Sequence, residues 1–148
     1  MDAVDKKILN IIQKEFPVHP EPFNVLAGMI GITEDEALAR VTKLKNDGII
    51  RRIGAVFNPK KLGFSSTLCA AHVPPDKLKD FVETVNACPG VTHNYRRNHA
   101  YNVWFTFIAP SEEAIEQAIE AIKAKTGIED IINMKAVRTF KINAIFPL

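Results

Sequence analysis

The sequence predicts an α+β protein in which an N-terminal winged helix-turn-helix domain is followed by a ferredoxin-like βαββαβ domain. Two observations predict this fold. Apolar residues recur at helical spacing in three short segments near the N-terminus. Strand-like segments then alternate with two further amphipathic helices in the order of a ferredoxin-like plait. We place the domain boundary so that the winged helix-turn-helix domain covers residues 1–62 and the ferredoxin-like domain covers residues 63–148.

The N-terminal half contains three helical segments that are separated by helix-breaking residues. The first segment begins near Val4 and is stopped by three prolines, of which Pro17 is the first. The second segment ends at Gly31. The third begins at Thr33, whose hydroxyl group forms a capping-box pattern with the carboxylate of Glu36. Three short helices at this spacing are typical of a helix-turn-helix domain.

A segment rich in β-forming residues follows the third helix. Residues 49–57 are mainly isoleucine, valine and phenylalanine around Arg51 and Arg52, and Asn58 and Pro59 close the segment. Strand-forming residues directly after three helices predict a β hairpin, which is the wing of a winged helix-turn-helix domain.

The second half of the chain changes from helical to mixed periodicity. Alternating apolar residues predict strands, and apolar residues at helical spacing predict two helices, the second capped by Ser111 and ended by Gly127. In chain order these elements are a strand over 67–73, a helix over 76–85, strands over 91–97 and 101–108, a helix from 111, and an extended segment over 131–142. This order predicts the ferredoxin-like plait.

Composition and charge exclude several classes of protein. No segment approaches the roughly 20 consecutive apolar residues of a membrane-spanning helix, and acidic residues precede the first apolar periodicity, unlike in a signal peptide. Cys69 and Cys88 show neither zinc-ligand spacing nor a disulfide framework. We therefore expect a cytoplasmic protein. The formal net charge of +2 is small for a dedicated nucleic-acid-binding protein.

The third helix would be the DNA-recognition helix, but its charges suit DNA poorly. Acidic residues outnumber basic ones, and three acids lie at the N-terminal end that such a helix turns toward DNA. The charged residues are Glu34, Asp35, Glu36 and Asp47 against Arg40, Lys43 and Lys45. Acids at a helix start are also explained by the helix dipole. We expect no sequence-specific DNA binding, and at most a weak, salt-sensitive affinity through the basic wing residues.

The predicted hairpin of the second half has an unusual combination of side chains. No aspartate or glutamate occurs between Glu83 and Glu112. The cationic, imidazole and aromatic residues of this window include His93, Tyr95, Arg96, Arg97, His99, Tyr101 and Trp104. Because strand residues alternate faces, His93, Tyr95 and Arg97 should share one face unless a bulge intervenes, with Arg96 on the other. The window predicts a surface that binds carboxylates.

A winged helix-turn-helix domain followed by a βαββαβ domain resembles the Lrp/AsnC family over essentially the whole chain. Within that family, residues 92–106 and the loop that contains Phe16, Pro17, Pro22 and Phe23 resemble the branch of sirohaem decarboxylases. The resemblance implies removal of the carboxyl groups from the two acetate side chains of sirohaem, which gives didecarboxysirohaem in alternative haem biosynthesis. It also implies pairing with a homologous second subunit. No cofactor is expected beyond the substrate's own iron macrocycle.

This resemblance gives the two histidines candidate roles in catalysis. His93 and His99 are candidate catalytic residues, because an imidazole can supply the proton that replaces the lost carboxyl group. An imidazole is also a common ligand of haem iron, so His99 is a candidate axial ligand to the substrate's iron, and His93 is the alternative. The sequence leaves open which histidine has which role.

The remaining candidate residues would bind the substrate. Arginine can grip a carboxylate through two hydrogen bonds, and the arginines proposed for this role are Arg96, Arg97 and, in the last predicted strand, Arg138. Flat surfaces for the macrocycle would come from Tyr95, Tyr101 and Trp104, for which packing roles stay open. Two alternatives to an active enzyme subunit also stay open. They are a ligand-responsive DNA-binding regulator and a non-catalytic subunit that only completes the pocket of its homologue.

Overall fold

The computed structural model describes residues 1–141 and 145–148, which form two compact units. The first unit comprises Met1–Ala55 together with Lys141–Leu148, and the second comprises Val56–Phe140. The C-terminal residues were predicted to belong to the second domain, whereas their contacts are with the first unit. The Gln13 side-chain amide explains this, because it donates to the Phe146 carbonyl and accepts from the Phe146 N–H, both at 2.8 Å.

The first unit consists of the three predicted helices, α1 (Ala3–Ile12), α2 (Pro22–Ile30) and α3 (Glu34–Asn46). Their apolar faces meet in one core, whose buried residues are Ile8, Leu9, Leu26, Val41, Leu44 and Ile50. Thr33 caps α3 by accepting from the Glu36 N–H at 3.3 Å. The Glu36 carboxylate binds Arg40 instead of turning back to the cap, so the structure contains only half of the predicted capping box.

The predicted β hairpin of the wing was wrong. Within the described residues 49–57 there is no strand. The N–H groups of Ile49 and Ile50 donate to the Leu44 carbonyl at 3.0 and 3.1 Å, so these residues cap the C-terminal end of α3. Farther along, Val56 and Phe57 are exposed. The β-branched and aromatic residues of this segment therefore lack the neighbouring strand surface on which their strand preference depends.

The second unit has the predicted βαββαβ order. Its strands are β1 (Ser65–Ala71), β2 (Val91–Arg96), β3 (Val103–Ala109) and β4 (Ile131–Lys135), and its helices are α4 (Leu78–Asn86) and α5 (Glu112–Thr126). All pairings are antiparallel, in the order β2-β3-β1-β4. The two helices bury one face of the sheet, in a core that includes Phe81, Val85, Phe105, Ile115 and Ile119. The opposite face, here called the open face, bears Leu68, His93, Tyr95, Trp104, Thr106 and Ile132.

The last strand is shorter than predicted. Its pairing with β1 ends at Lys135, opposite Thr67. Val137 and Phe140 beyond it are almost fully exposed, so their apolar side chains do not indicate a buried strand there. Arg138 consequently lies after the strand and not within it, and the predicted end of the strand at residue 142 lies outside the described residues.

A β-bulge at Thr92 sets which residues of β2 reach the open face. Val91 pairs with Phe107 and His93 pairs with Thr106, so Thr92 is an additional residue on its strand. Val91 packs against the core, and His93 lies on the opposite side of the sheet. In a regular strand these two residues would share a face, because side chains alternate.

Gly90 precedes this bulge at a point where the backbone is tightly packed. A Cβ atom on residue 90 would lie 2.4 Å from the Ile108 carbonyl oxygen and 2.6 Å from the Phe107 ring. The Ile108 N–H also donates to the Gly90 carbonyl at 2.8 Å, so the two backbones cannot separate without losing this bond. Only glycine fits here without displacement.

We expect Gly90→Ala to reduce the free energy of unfolding of the second unit by about 1–3 kcal/mol, the usual cost of overpacking. The measurement is urea unfolding followed by the fluorescence of Trp104. Gly28→Ala is the matched control, because Gly28 lies inside α2 with no atom within 4 Å of an added Cβ. Alanine should be neutral or stabilising there. Equal stability of Gly90→Ala and the unaltered chain would show that the bulge region yields easily.

Candidate functional site

The main depression of the second unit lies on the open face and has a volume of about 630 Å³. This volume is within the range of small-molecule sites. Its lining residues are Leu68, His93, Tyr95, Arg97, Asn98, His99, Trp104 and Thr106. Five of the eight residues singled out in the sequence therefore meet in one depression, which three strands and the loop of residues 97–102 form.

Three side chains of β2 and its extension lie in a row along the depression. The rings of His93 and Tyr95 stack with centroids 6.1 Å apart and planes inclined by 22°. The Arg97 guanidinium carbon lies 5.3 Å from the Tyr95 ring centroid, which is a cation–π contact. The row thus combines a flat surface with a permanent cation at one end, as the binding of a flat polycarboxylate requires.

His93 is surrounded by hydroxyl groups at its Nδ1 atom. Nδ1 lies 3.1 Å from Thr92 Oγ1 and 3.4 Å from Thr106 Oγ1. The two hydroxyl oxygens are 2.7 Å apart and share a hydrogen bond. The bulge makes this cluster possible, because it brings the consecutive residues Thr92 and His93 to the same side of the sheet as Thr106.

His99 is held differently, within the loop of residues 97–102. Its Nδ1 accepts a hydrogen bond from the Tyr101 backbone N–H at 3.1 Å, and its ring stacks on that of Tyr101. The Tyr101 hydroxyl donates to Asp130 at 2.9 Å, and this hydrogen bond raises the pKa of Tyr101. Trp104 donates its indole N–H to the Tyr101 carbonyl at 2.7 Å. Tyr101 therefore supports the loop and does not line the main depression.

A second, more polar cavity of about 520 Å³ adjoins the loop. It is lined by Arg96, Arg97, Asn98, His99 and Asn102. Asn102 fixes the base of the loop, because its side-chain amide accepts from the Val73 N–H at 2.9 Å and donates to the Val73 carbonyl at 2.8 Å. Arg96 borders this cavity and is not part of the main depression.

Arg138 is the predicted site residue that the structure separates most clearly from the depression. Its guanidinium carbon lies 5.1 Å from the centroid of the Phe140 ring, and Arg138 lines neither cavity. Conversely, sequence reasoning missed Leu68, Asn98 and Thr106 as lining residues. The register of β1 against β3, which places Leu68 opposite Thr106, would have identified two of them.

Other kinds of site find no support in the part of the chain that the structure describes. Burial raises the pKa of the Cys69 thiol to about 11, which disfavours a nucleophilic thiolate. Among residues 1–141 and 145–148, no cluster of histidine, cysteine and carboxylate side chains could hold a metal ion. In the same residues, the helices are too short or too polar to span a bilayer.

Comparison with known proteins identifies the family. Residues 61–141 match the model of the AsnC-like ligand binding domain, and residues 5–51 match the siroheme decarboxylase NirDL-like HTH domain. A siroheme decarboxylase alpha subunit from Oleidesulfovibrio alaskensis is 55% identical over 148 residues, which are all of this chain and 90% of that protein. The chain belongs to the sirohaem decarboxylase family. The family resemblance inferred from residues 92–106 is thus confirmed.

Solved structures of this family and of regulators both superpose on the chain. The siroheme decarboxylase NirDL in complex with an iron-uroporphyrin III analogue matches with a TM-score of 0.75 and 38% identity, over 97% of this chain and 47% of that chain. Escherichia coli AsnC matches with a TM-score of 0.81 over 98% of this chain and 97% of its own, but at 19% identity. The likeness to AsnC shows the fold alone.

In this member of the sirohaem decarboxylase family, basic residues of α3 are engaged by acids of its own unit. Arg40 binds Asp2, Asp5 and Glu36 at 2.8 to 2.9 Å. The Asp5 backbone N–H, together with Arg40, lowers the pKa of Asp2 to about 2. Lys43 forms an ion pair with Asp47. Cations that are already paired are less able to neutralise phosphates, so the geometry strengthens the charge argument against DNA recognition by α3.

Proposed function

We propose that this chain, together with a homologous partner subunit, removes the carboxyl groups of the two acetate side chains of sirohaem to give didecarboxysirohaem. The observation that carries the proposal is the single depression lined by His93, Tyr95, Arg97, His99 and Trp104. Its flat rings and its cation suit an iron macrocycle whose rim bears carboxylates. The iron-uroporphyrin III analogue bound by NirDL belongs to the same chemical class.

The proposed reaction needs a proton donor and no redox partner. The bond between the acetate methylene carbon and the carboxyl carbon breaks, and its electron pair stays on the methylene carbon. CO2 leaves, and a proton from the enzyme forms a new C–H bond, so that each acetate becomes a methyl group. We assign the proton donor to His93 or His99 and the binding of the spectator carboxylates to Arg97. The substrate's own iron macrocycle would suffice as an electron sink.

Two observations support a partner subunit. The open face leaves Tyr95 51% and Ile132 39% exposed, together with Leu68, which is costly for an isolated chain and suits coverage by another protein. The NirDL chain is more than twice as long as the part of it that this chain matches, so it has room for a second unit of similar size. A homologous partner would close the open side of the depression and exclude water from it.

The test is anaerobic incubation of sirohaem with the full chain, alone and with its homologous partner, followed by absorbance and product mass. We expect the loss of two CO2 units when both subunits are present. Unchanged sirohaem and an unchanged spectrum in both samples would overturn the proposal. Activity that survives inactivation of His93 and His99 in this chain would mean that the chain only completes its partner's pocket.

The second candidate function is a ligand-responsive DNA-binding regulator. The observation that favours it is the complete set of helices α1, α2 and α3 in a chain whose fold matches that of AsnC. A gel-shift measurement with DNA at low and at physiological salt tests it. Sequence-specific binding that persists at physiological salt would favour the regulator, whereas a weak shift that disappears with salt is expected for the enzyme subunit.

A further inference from the structure

We propose that the hydroxyl groups of Thr92 and Thr106 position His93 as the proton donor, whereas His99 acts as a hydrogen-bond donor to a substrate carboxylate. The inference rests on the proposed function and separates two roles that the sequence leaves open. Thr92 and Thr106 are positioning residues in this account, because they act through the imidazole ring of His93. The two histidines differ in whether the partners of their Nδ1 atoms can accept a hydrogen bond.

The Nδ1 atom of His99 faces a partner that can only donate. The Tyr101 backbone N–H points to it at 3.1 Å, so Nδ1 carries no proton in this loop conformation. The loop is fixed independently by the hydrogen bond from the Tyr101 hydroxyl to Asp130 and by the Asn102 amide on Val73. The neutral His99 ring therefore carries its proton on Nε2. Such a nitrogen can donate to a carboxylate but has no free electron pair for iron.

The Nδ1 atom of His93 faces partners that can donate or accept. Thr92 Oγ1 and Thr106 Oγ1 lie 3.1 and 3.4 Å away, and a hydroxyl group rotates to present either its proton or an electron pair. Nδ1 of His93 is thus satisfied with or without a proton. The ring can carry protons on both nitrogens before the reaction and keep the one on Nδ1 afterwards. A ring that gains and loses a proton at Nε2 while it keeps one on Nδ1 needs a hydrogen-bond acceptor at Nδ1, which a hydroxyl group provides and a backbone N–H does not.

In the proposed step, each acetate exchanges its carboxylate for a proton from His93. The carbon–carbon bond to the carboxylate breaks, CO2 departs, and the electron pair left on the methylene carbon takes the Nε2 proton of the His93 imidazolium. The carbon becomes a methyl group, and His93 becomes a neutral imidazole whose remaining proton on Nδ1 points at the threonine hydroxyls. Water returns the proton to Nε2 before the next turnover. His99 and Arg97 bind carboxylates throughout and exchange no proton.

Nitrogen-15 NMR of the full chain with labelled histidine tests the geometry without substrate, because it reads the protonation of each ring nitrogen. Signals are assigned with His93→Gln and His99→Gln. We expect neutral His99 to carry its proton on Nε2. We also expect the double variant Thr92→Val, Thr106→Val to change the protonation pattern of His93 and to leave that of His99 unchanged. A proton on Nδ1 of His99, or an unaltered His93 in the double variant, would overturn the inference.

Turnover of sirohaem with the partner present tests the functional part. Thr106→Val keeps the shape of the side chain and removes its hydroxyl group, and we expect kcat to fall about threefold to tenfold with little change in KM. Thr106→Ser should restore kcat, which a purely structural role would not predict. Thr139→Val, at an exposed position that does not line the depression, is the matched control and should leave kcat unchanged.

If either threonine hydroxyl alone can position His93, only the double variant tests the positioning role. Full kcat in Thr92→Val, Thr106→Val would refute the positioning role. Failure of the unaltered pair of subunits to decarboxylate sirohaem would instead refute the proposed function, and the NMR result would still decide whether the hydroxyl groups control the protonation of His93.

Discussion

Replacing His93 with glutamine is expected to lower the kcat of the partnered enzyme by about 10²- to 10⁴-fold, the usual contribution of a positioned acid. Glutamine has a similar length and can still hydrogen-bond to Thr106, but it cannot supply a proton to carbon. KM should change much less, because Arg97, Tyr95 and Trp104 still line the depression. The measurement is CO2 release from sirohaem under anaerobic conditions, analysed as separate kcat and KM values.

Two other histidine variants complete this experiment. His19→Gln is the matched control, since His19 lies in the first unit, where its ring accepts from the Glu21 N–H. It should leave kcat and KM unchanged. His99→Gln should raise KM more than it lowers kcat, because glutamine can still donate a hydrogen bond from a less favourable position. Full turnover of His93→Gln with the partner present would place the reacting group elsewhere, most simply in the partner subunit.

Arg97→Ala is expected to raise the Kd for sirohaem about tenfold or more, which corresponds to the loss of a charge-assisted hydrogen bond. The guanidinium lies over Tyr95 at the end of the row of rings, so its removal takes away both the cation and part of the flat surface. Arg97→Lys should recover only part of the affinity, because an ammonium group does not reproduce the planar fork. Absorbance titration of the full chain with sirohaem measures Kd.

Two other arginines provide matched controls for this effect. Arg96→Ala removes the same side chain one residue earlier, where it borders only the polar cavity beside the loop. Arg138→Ala removes an arginine that lines neither cavity. Both should weaken binding less than Arg97→Ala does. A larger loss for Arg138→Ala would mean that the segment after β4 reaches the substrate, and the present choice of site would then be wrong.

Much of the fold could be predicted because periodicity and helix caps are local signals. Ser111 does cap α5 by accepting from the Ala114 N–H, and Gly127 ends this helix with a positive φ angle. The predictions that failed concern residues 49–57 and the end of the last strand. In both places strand-forming residues were present, but a neighbouring strand was not. Strand formation depends on a partner at a distance, which local composition does not reveal.

The candidate site was predictable in its members but not in its hydrogen bonds. The absence of acids over a long window pointed to the hairpin, and His93, Tyr95 and Arg97 do share the depression. The support of the loop by Asp130 was not foreseeable, because this acid comes from a segment far along the chain. The hydroxyl cluster around His93 was equally hidden, since it depends on a register shift between two strands.

The register shift at Thr92 determines which mutations of β2 are informative. Deleting Thr92 would remove the additional residue and give a regular β2 in which His93, Tyr95 and Arg97 keep their faces. The shortened strand would present the same aromatic and cationic surface to a macrocycle, with Thr106 left as the remaining hydroxyl beside His93. Affinity for the macrocycle would then depend on which residues β2 contains. Catalysis would depend on how many residues β2 contains. Insertions and deletions are therefore the informative changes in this hairpin, alongside substitutions.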